Sequence, residues 1–186
     1  MIPIHTLFGV LLILFALIGS LRGWTKEIIV TSSVILALFV EHILLTFLPP
    51  VAGLFQNMAL KSQFYSRAIL FIVILTFGYV GPAIVAQLED RVLSSRLQDA
   101  MLGFFFGLVN GFLIVGTLLS FLHAANYGIA ADQPGATGLG GIVPPAPHTT
   151  SAGLIAFLPP ELIAKSNVVL YVAVAIAFLL VILLFI

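Results

Sequence analysis

The chain has 186 residues, of which 61% are apolar and only 8% charged, with seven basic and seven acidic side chains giving a formal net charge of zero. So little charge cannot cover a water-soluble surface, and the apolar residues run in long blocks rather than in the narrow stripe of a soluble amphipathic helix. Neutrality without a basic tract argues against nucleic acid as a partner, and the lack of cysteine removes disulfides, thiolate metal sites and thiol nucleophiles.

A hydrocarbon layer about 30 Å thick is crossed by about 20 apolar helical residues, and five stretches meet that length. The first runs from Ile4 to Leu21, with Pro3 placed where a first helical turn tolerates it. It has no basic segment before it and no small-residue cleavage pattern after it, so it reads as a retained span rather than a signal peptide. Arg22 to Glu27 is a very short link, which predicts that the first two spans are antiparallel neighbours. The second span runs from Ile28 to Leu48 and is closed by Pro49 and Pro50. From Val51 to Arg67 apolar residues alternate with Gln56, Asn57, Lys61, Gln63 and Arg67, a pattern that predicts a helix lying in the interface.

The third span runs from Ala68 to Leu88 and the fourth from Met101 to Leu122, separated by the polar stretch Glu89 to Gln98. His123 to Asn167 is rich in proline and glycine and is expected to be irregular or extended outside the bilayer. The fifth span runs from Val168 to Ile186. FLPP occurs at Phe47 to Pro50 and again at Phe157 to Pro160, and a proline break before a new helical start accounts for both. The expected fold is therefore an all-α membrane protein, a bundle of about five transmembrane helices with a Pro/Gly-rich external loop. It divides into a four-helix core over 1–122, the loop over 123–167 and a terminal helix over 168–186. An N-terminus outside and a cytoplasmic C-terminus put Arg22, Lys26, Arg91 and Arg96 inside, against Lys61, Arg67 and Lys165 outside.

Two stretches carry a family resemblance. GSLRGWTKE supplies Gly19, Arg22, Gly23, Trp24, Lys26 and Glu27 at the end of the first span, and DAMLGFFFGLVNG supplies Asp99, Gly103, Gly107 and Gly111 at the start of the fourth. Together they resemble the two motifs of the colicin V production protein family over roughly the first 122 residues. Ala100 and Asn110 stand where that family usually has basic residues, and the fifth span and the loop are additions to its four-span core. The resemblance implies a bacterial inner-membrane protein connected with colicin V export and envelope homeostasis, in a transport-accessory role. It supplies no catalytic residue and no cofactor.

Gly103, Gly107 and Gly111 fall on one helical face and allow a second helix to approach closely, either within one bundle or as a pore-lining or subunit contact. Gly19 and Gly23 repeat the spacing, so the first and fourth spans are expected to pair. Glu41 and His42 lie about 20 Å along the second helix from Ile28. An ionisable residue at membrane depth is a candidate proton or cation site, with Asn110, Tyr79 or Thr76 as polar neighbours, or else marks the point where the helix leaves the hydrocarbon. Adjacent positions point about 100° apart, so Glu41 and His42 should not share one site. His5, His42, His123 and His148 fall at different depths, which argues against a bis-histidine haem, and no cofactor or metal is expected. There is no nucleophile elbow, no HExxH and no phosphate-binding glycine loop, so catalysis is not expected. The partners expected are the bilayer and either other membrane subunits or further copies of the chain. An accessory subunit of a respiratory or photosynthetic complex and a homo-oligomeric channel are the other functional readings.

Overall fold

The computed structural model describes residues 3–84, 96–130 and 138–185, and among these there is no strand. The helices are α1 (Ile4–Arg22), α2 (Trp24–Phe47), α3 (Pro49–Asn57), α4 (Leu60–Ile84), α5 (Arg96–Ala124), α6 (Thr150–Ile155) and α7 (Asn167–Phe185). Five of them, α1, α2, α4, α5 and α7, are long and apolar enough to cross a membrane. Most of the predicted polar link from Glu89 to Gln98 and the last residues of the predicted third span lie outside the described residues.

Two spans begin earlier than composition suggests. α4 starts at Leu60 rather than Ala68, so Lys61, Gln63 and Arg67 belong to a span, and the expected interfacial helix shrinks to α3. Nothing between Leu60 and Arg67 breaks a helix, and the charge of Arg67 is met by Glu41 of α2, so helix continues through the polar residues. α5 starts at Arg96 rather than Met101, with Asp99 in its first turn. Acidic residues there are favoured by the helix dipole.

The first two spans run antiparallel as expected, but they meet only sparsely instead of packing along their length. α1 lies along α5, whereas α2 packs mainly on α4, α5 and α7. Gly23 separates α1 from α2 with φ 86° and ψ 155°, a conformation open chiefly to glycine. The small face of α1, at Ala16 and Gly19, meets the glycines of α5. Contacts run from Phe8 against Phe112, through Phe15 against Gly111, to Gly19 against Gly103, so the two helices are antiparallel.

α2 is the hub. Val30, Val34 and Ala37 pack with Phe71 and Leu75 of α4 and with Leu113, Ile114 and Phe121 of α5. The Phe71 and Phe121 rings meet edge to face at 5.9 Å, a favoured aromatic geometry. α7 is held to α2 by the Ser32 hydroxyl, which donates to the Ala177 carbonyl at 3.3 Å, and by the Phe39–Tyr171 ring contact. Contacts among the spans alternate their directions, so α3, α6 and the Pro/Gly-rich segment share the side where α1 begins.

The described part of that segment is less irregular than its composition implies. Short turns occupy Asn126–Gly128 and Leu139–Gly141, followed by α6 and a wide π-type turn at Pro160–Ala164. The Thr149 hydroxyl caps α6 by accepting from the Ala152 N–H. Two points drive inward. Tyr127 is buried in a left-handed turn with φ 56°, and Leu158 and Pro159 are buried where Gly116 of α5 leaves room for the proline ring.

Candidate functional site

The two motifs meet at the end of the bundle where α1 finishes and α2 and α5 start. α2 has no side-chain cap of its own, since its cap position is Gly23. Asp99 of α5 takes that place by accepting the Trp24 N–H at 3.2 Å. A buried helix start leaves N–H groups that need an acceptor, and a carboxylate there also complements the dipole. A Cβ on Gly23 would fall 2.8 Å from an Asp99 carboxylate oxygen, so glycine is required for room as well as for its backbone angles.

One turn further into α2, Glu27 is 1% exposed and Asn110 of α5 is wholly buried. One Glu27 carboxylate oxygen accepts from the Arg22 guanidinium at 2.6 Å, and the other accepts from the Asn110 amide at 2.7 Å. The same amide donates to the Glu27 carbonyl at 2.9 Å, while the Asn110 oxygen accepts from the Thr31 hydroxyl at 2.7 Å. Arg22 lies 4.5 Å over the ring of Tyr79 from α4. Four spans are therefore tied by one network in which the buried carboxylate has two donors. Satisfaction of this kind is what makes a buried charge tolerable, since its desolvation is offset only by good partners.

The glycine face of α5 is filled. A Cβ on Gly19 would overlap the Gly103 carbonyl oxygen, and one on Gly107 would overlap the Phe15 carbonyl oxygen. Backbones in contact gain dispersion where lipid offers no hydrophobic drive. Trp24 and Lys26 are half-buried in the first turn of α2.

The candidate residues Glu41, His42 and Asn110 form no single site: Glu41 and His42 part as their helical positions imply, and the expected neighbourhood of Glu41 and Asn110 is corrected. Glu41 is paired with Arg67, whose guanidinium also lies 4.5 Å over the Phe121 ring. His42 turns toward α7, with ring contacts to Tyr171 and Phe47 and a buried Nε2 that has no partner. Asn110 belongs to Glu27 and Thr31. The reason is register: Asn110 sits at the level of Glu27 and Thr31, and Glu41 lies ten residues, about 15 Å, further along α2 than Thr31. Of the neighbours expected for Glu41, Tyr79 underlies Arg22, and the exposed Thr76 hydroxyl donates to the Ile72 carbonyl.

Sequence reasoning missed the capping role of Asp99 and the Arg67–Glu41 pair. The first was signalled only by a glycine that leaves the start of the second helix without a side-chain cap of its own. The second was signalled only by the one carboxylate within the predicted second span and the cation just before the predicted third. Among the described residues no three His, Asp or Glu side chains converge to hold a metal. Outside the spans, burial pushes the Tyr127 phenol up from its ordinary value, and its hydroxyl has no partner.

The model of the family described as Colicin V production protein matches residues 4–133, more than half of the chain. This chain belongs to the colicin V production protein family. The matched span includes both motifs, the joint they form and all of α1 through α5, and stops before α6 and α7. The family and the five apolar helices together make this a multi-pass membrane protein. No curated protein and no solved structure matches the chain.

Proposed function

We propose that this colicin V production family member is a non-enzymatic component of a bacterial inner membrane, acting in an accessory role in export or envelope homeostasis, with its N-terminus outside and its C-terminus in the cytoplasm. The observation that supports this reading is the use to which the family motifs are put. Arg22, Glu27, Asp99 and Asn110 are engaged with one another and with the backbone, so the polar residues of the motifs hold four helices together. A scaffold presenting surfaces to other membrane proteins fits that arrangement better than a reaction centre does.

A second reading, a small accessory subunit of a respiratory or photosynthetic assembly, draws support from α7. Its outer side leaves Val168, Phe178, Leu179 and Leu183 exposed, a lipid or subunit face. The channel reading is weaker, because the glycine face that would line a pore is covered by α1.

The test is complementation of a deletion strain that carries the colicin V export system, with secreted colicin and membrane abundance measured together. For Glu27→Gln and Asn110→Leu, secretion should fall in proportion to abundance. Full abundance with abolished secretion would mean that Glu27 acts chemically and would overturn the scaffold reading. Co-purification of stoichiometric redox or pigment subunits in mild detergent would favour the second reading.

A further inference from the structure

A cavity of about 600 Å³ opens between the start of α1, Leu119 of α5 and the segment from Gly141 to Ser151. Its walls are mainly apolar, with Ile4, Leu7, Ile142 and Val143 among them, and among the described residues no Asp, Glu, Lys or Arg lines it. The size is within the usual range for a small-molecule site. We propose that it holds one acyl chain of a bilayer phospholipid, with the ester end of the chain at the His5–Ser151 pair.

Three observations carry the assignment. The first is continuity with the lipid-facing surface. Leu7 belongs both to the cavity wall and to the outer flank of α1, where Val10 and Leu14 follow at helical spacing and are 59% and 48% exposed. A chain can therefore enter from the hydrocarbon layer without crossing water. The second is the polar group at the wall. His5 Nδ1 and the buried Ser151 hydroxyl are hydrogen-bonded at 2.9 Å, and with the proton on Nδ1 the hydroxyl accepts from His5 and is free to donate to an ester carbonyl. Thr149, the other lining hydroxyl, is already used, donating to the Ala146 carbonyl and accepting from the Ala152 N–H. The third is charge. A free fatty acid would bring a carboxylate to a wall whose described residues include no lysine or arginine, whereas a phospholipid keeps its charged headgroup beyond the cavity and places only chain and ester inside.

The experiment uses the full chain reconstituted in phosphatidylethanolamine and phosphatidylglycerol vesicles that contain a trace of phosphatidylethanolamine with a diazirine on one acyl chain. After irradiation, adducts are mapped by mass spectrometry. Adducts should concentrate on residues 141–146, and filling the cavity with Ala146→Trp should lower them about tenfold, the loss of room for about two methylenes. Adducts on the exposed α7 residues Ile176 and Leu179 should not change. Val143→Trp serves as an independent filling variant if Ala146→Trp does not reach the membrane. Labelling of 141–146 no stronger than that of α7, or unaffected by either tryptophan, would overturn the proposal. Stronger labelling by a diazirine fatty acid than by the phospholipid would overturn the assignment of the occupant.

Discussion

The seam between α1 and α5 and the core between α2, α4 and α5 solve the same problem by different means. In the first, Gly19, Gly103 and Gly107 bring two backbones into contact, and almost no side-chain volume lies between them. In the second, branched and aromatic side chains interdigitate around Val34, Phe71 and Phe121, and a buried carboxylate paired with a part-buried arginine at each end of the core, Glu27 with Arg22 and Glu41 with Arg67, fixes the register. The difference teaches where each seam is vulnerable. The glycine seam cannot accept added volume, whereas the side-chain core cannot lose a charge partner.

Removing a partner should have the largest effect. Glu27→Ala leaves Arg22 without its carboxylate and takes from the buried Asn110 amide one of its two acceptors, and should cost about 3–5 kcal/mol, read from thermal unfolding in detergent against the unsubstituted chain. Adding volume to the glycine seam comes next. Gly107→Val forces α1 off α5 and should cost about 1–3 kcal/mol, while Gly53→Val, on the open surface of α3, should cost less than half as much in the same assay. If both glycine variants behave alike, the contrast between the seams fails.

The cap that links the two regions should matter less. Asp99→Ala removes the acceptor for the Trp24 N–H and should cost about 1 kcal/mol, with faster amide exchange confined to the first turn of α2. Smallest of all is Glu161→Gln. It breaks an exposed pair with Lys165 at 3.4 Å and should shift stability by less than about 0.5 kcal/mol.

Much of the architecture was readable from the chain because bilayer thickness imposes span length and leaves a direct mark on composition. The pairing of the glycine faces could be anticipated too, since Gly19 and Gly23 repeat the spacing of Gly103, Gly107 and Gly111. Depth and partner choice could not. Asn110 and Glu41 look alike as polar residues within spans, yet relative register, which brings Asn110 level with Glu27 and Thr31, sends them to different networks. Composition also misplaced the start of α4, because a window of apolar residues cannot anticipate that Arg67 finds a buried partner in Glu41. The two FLPP copies make the same point. Leu48 remains 41% exposed, whereas Leu158 is fully buried beside the Pro159 that packs on Gly116, and only the tertiary position of that glycine separates them.

The central claim is that the two family motifs form one joint because α1 lies antiparallel along α5. The absence of native cysteine allows a direct test, with Phe15→Cys and Gly111→Cys introduced together. A Cβ at position 111 would lie 2.7 Å from that of Phe15, so a small relaxation reaches disulfide geometry. Oxidation in native membranes should give a disulfide within one chain in high yield, detected by peptide mapping. Failure to cross-link, or a disulfide only between two chains, would contradict the account.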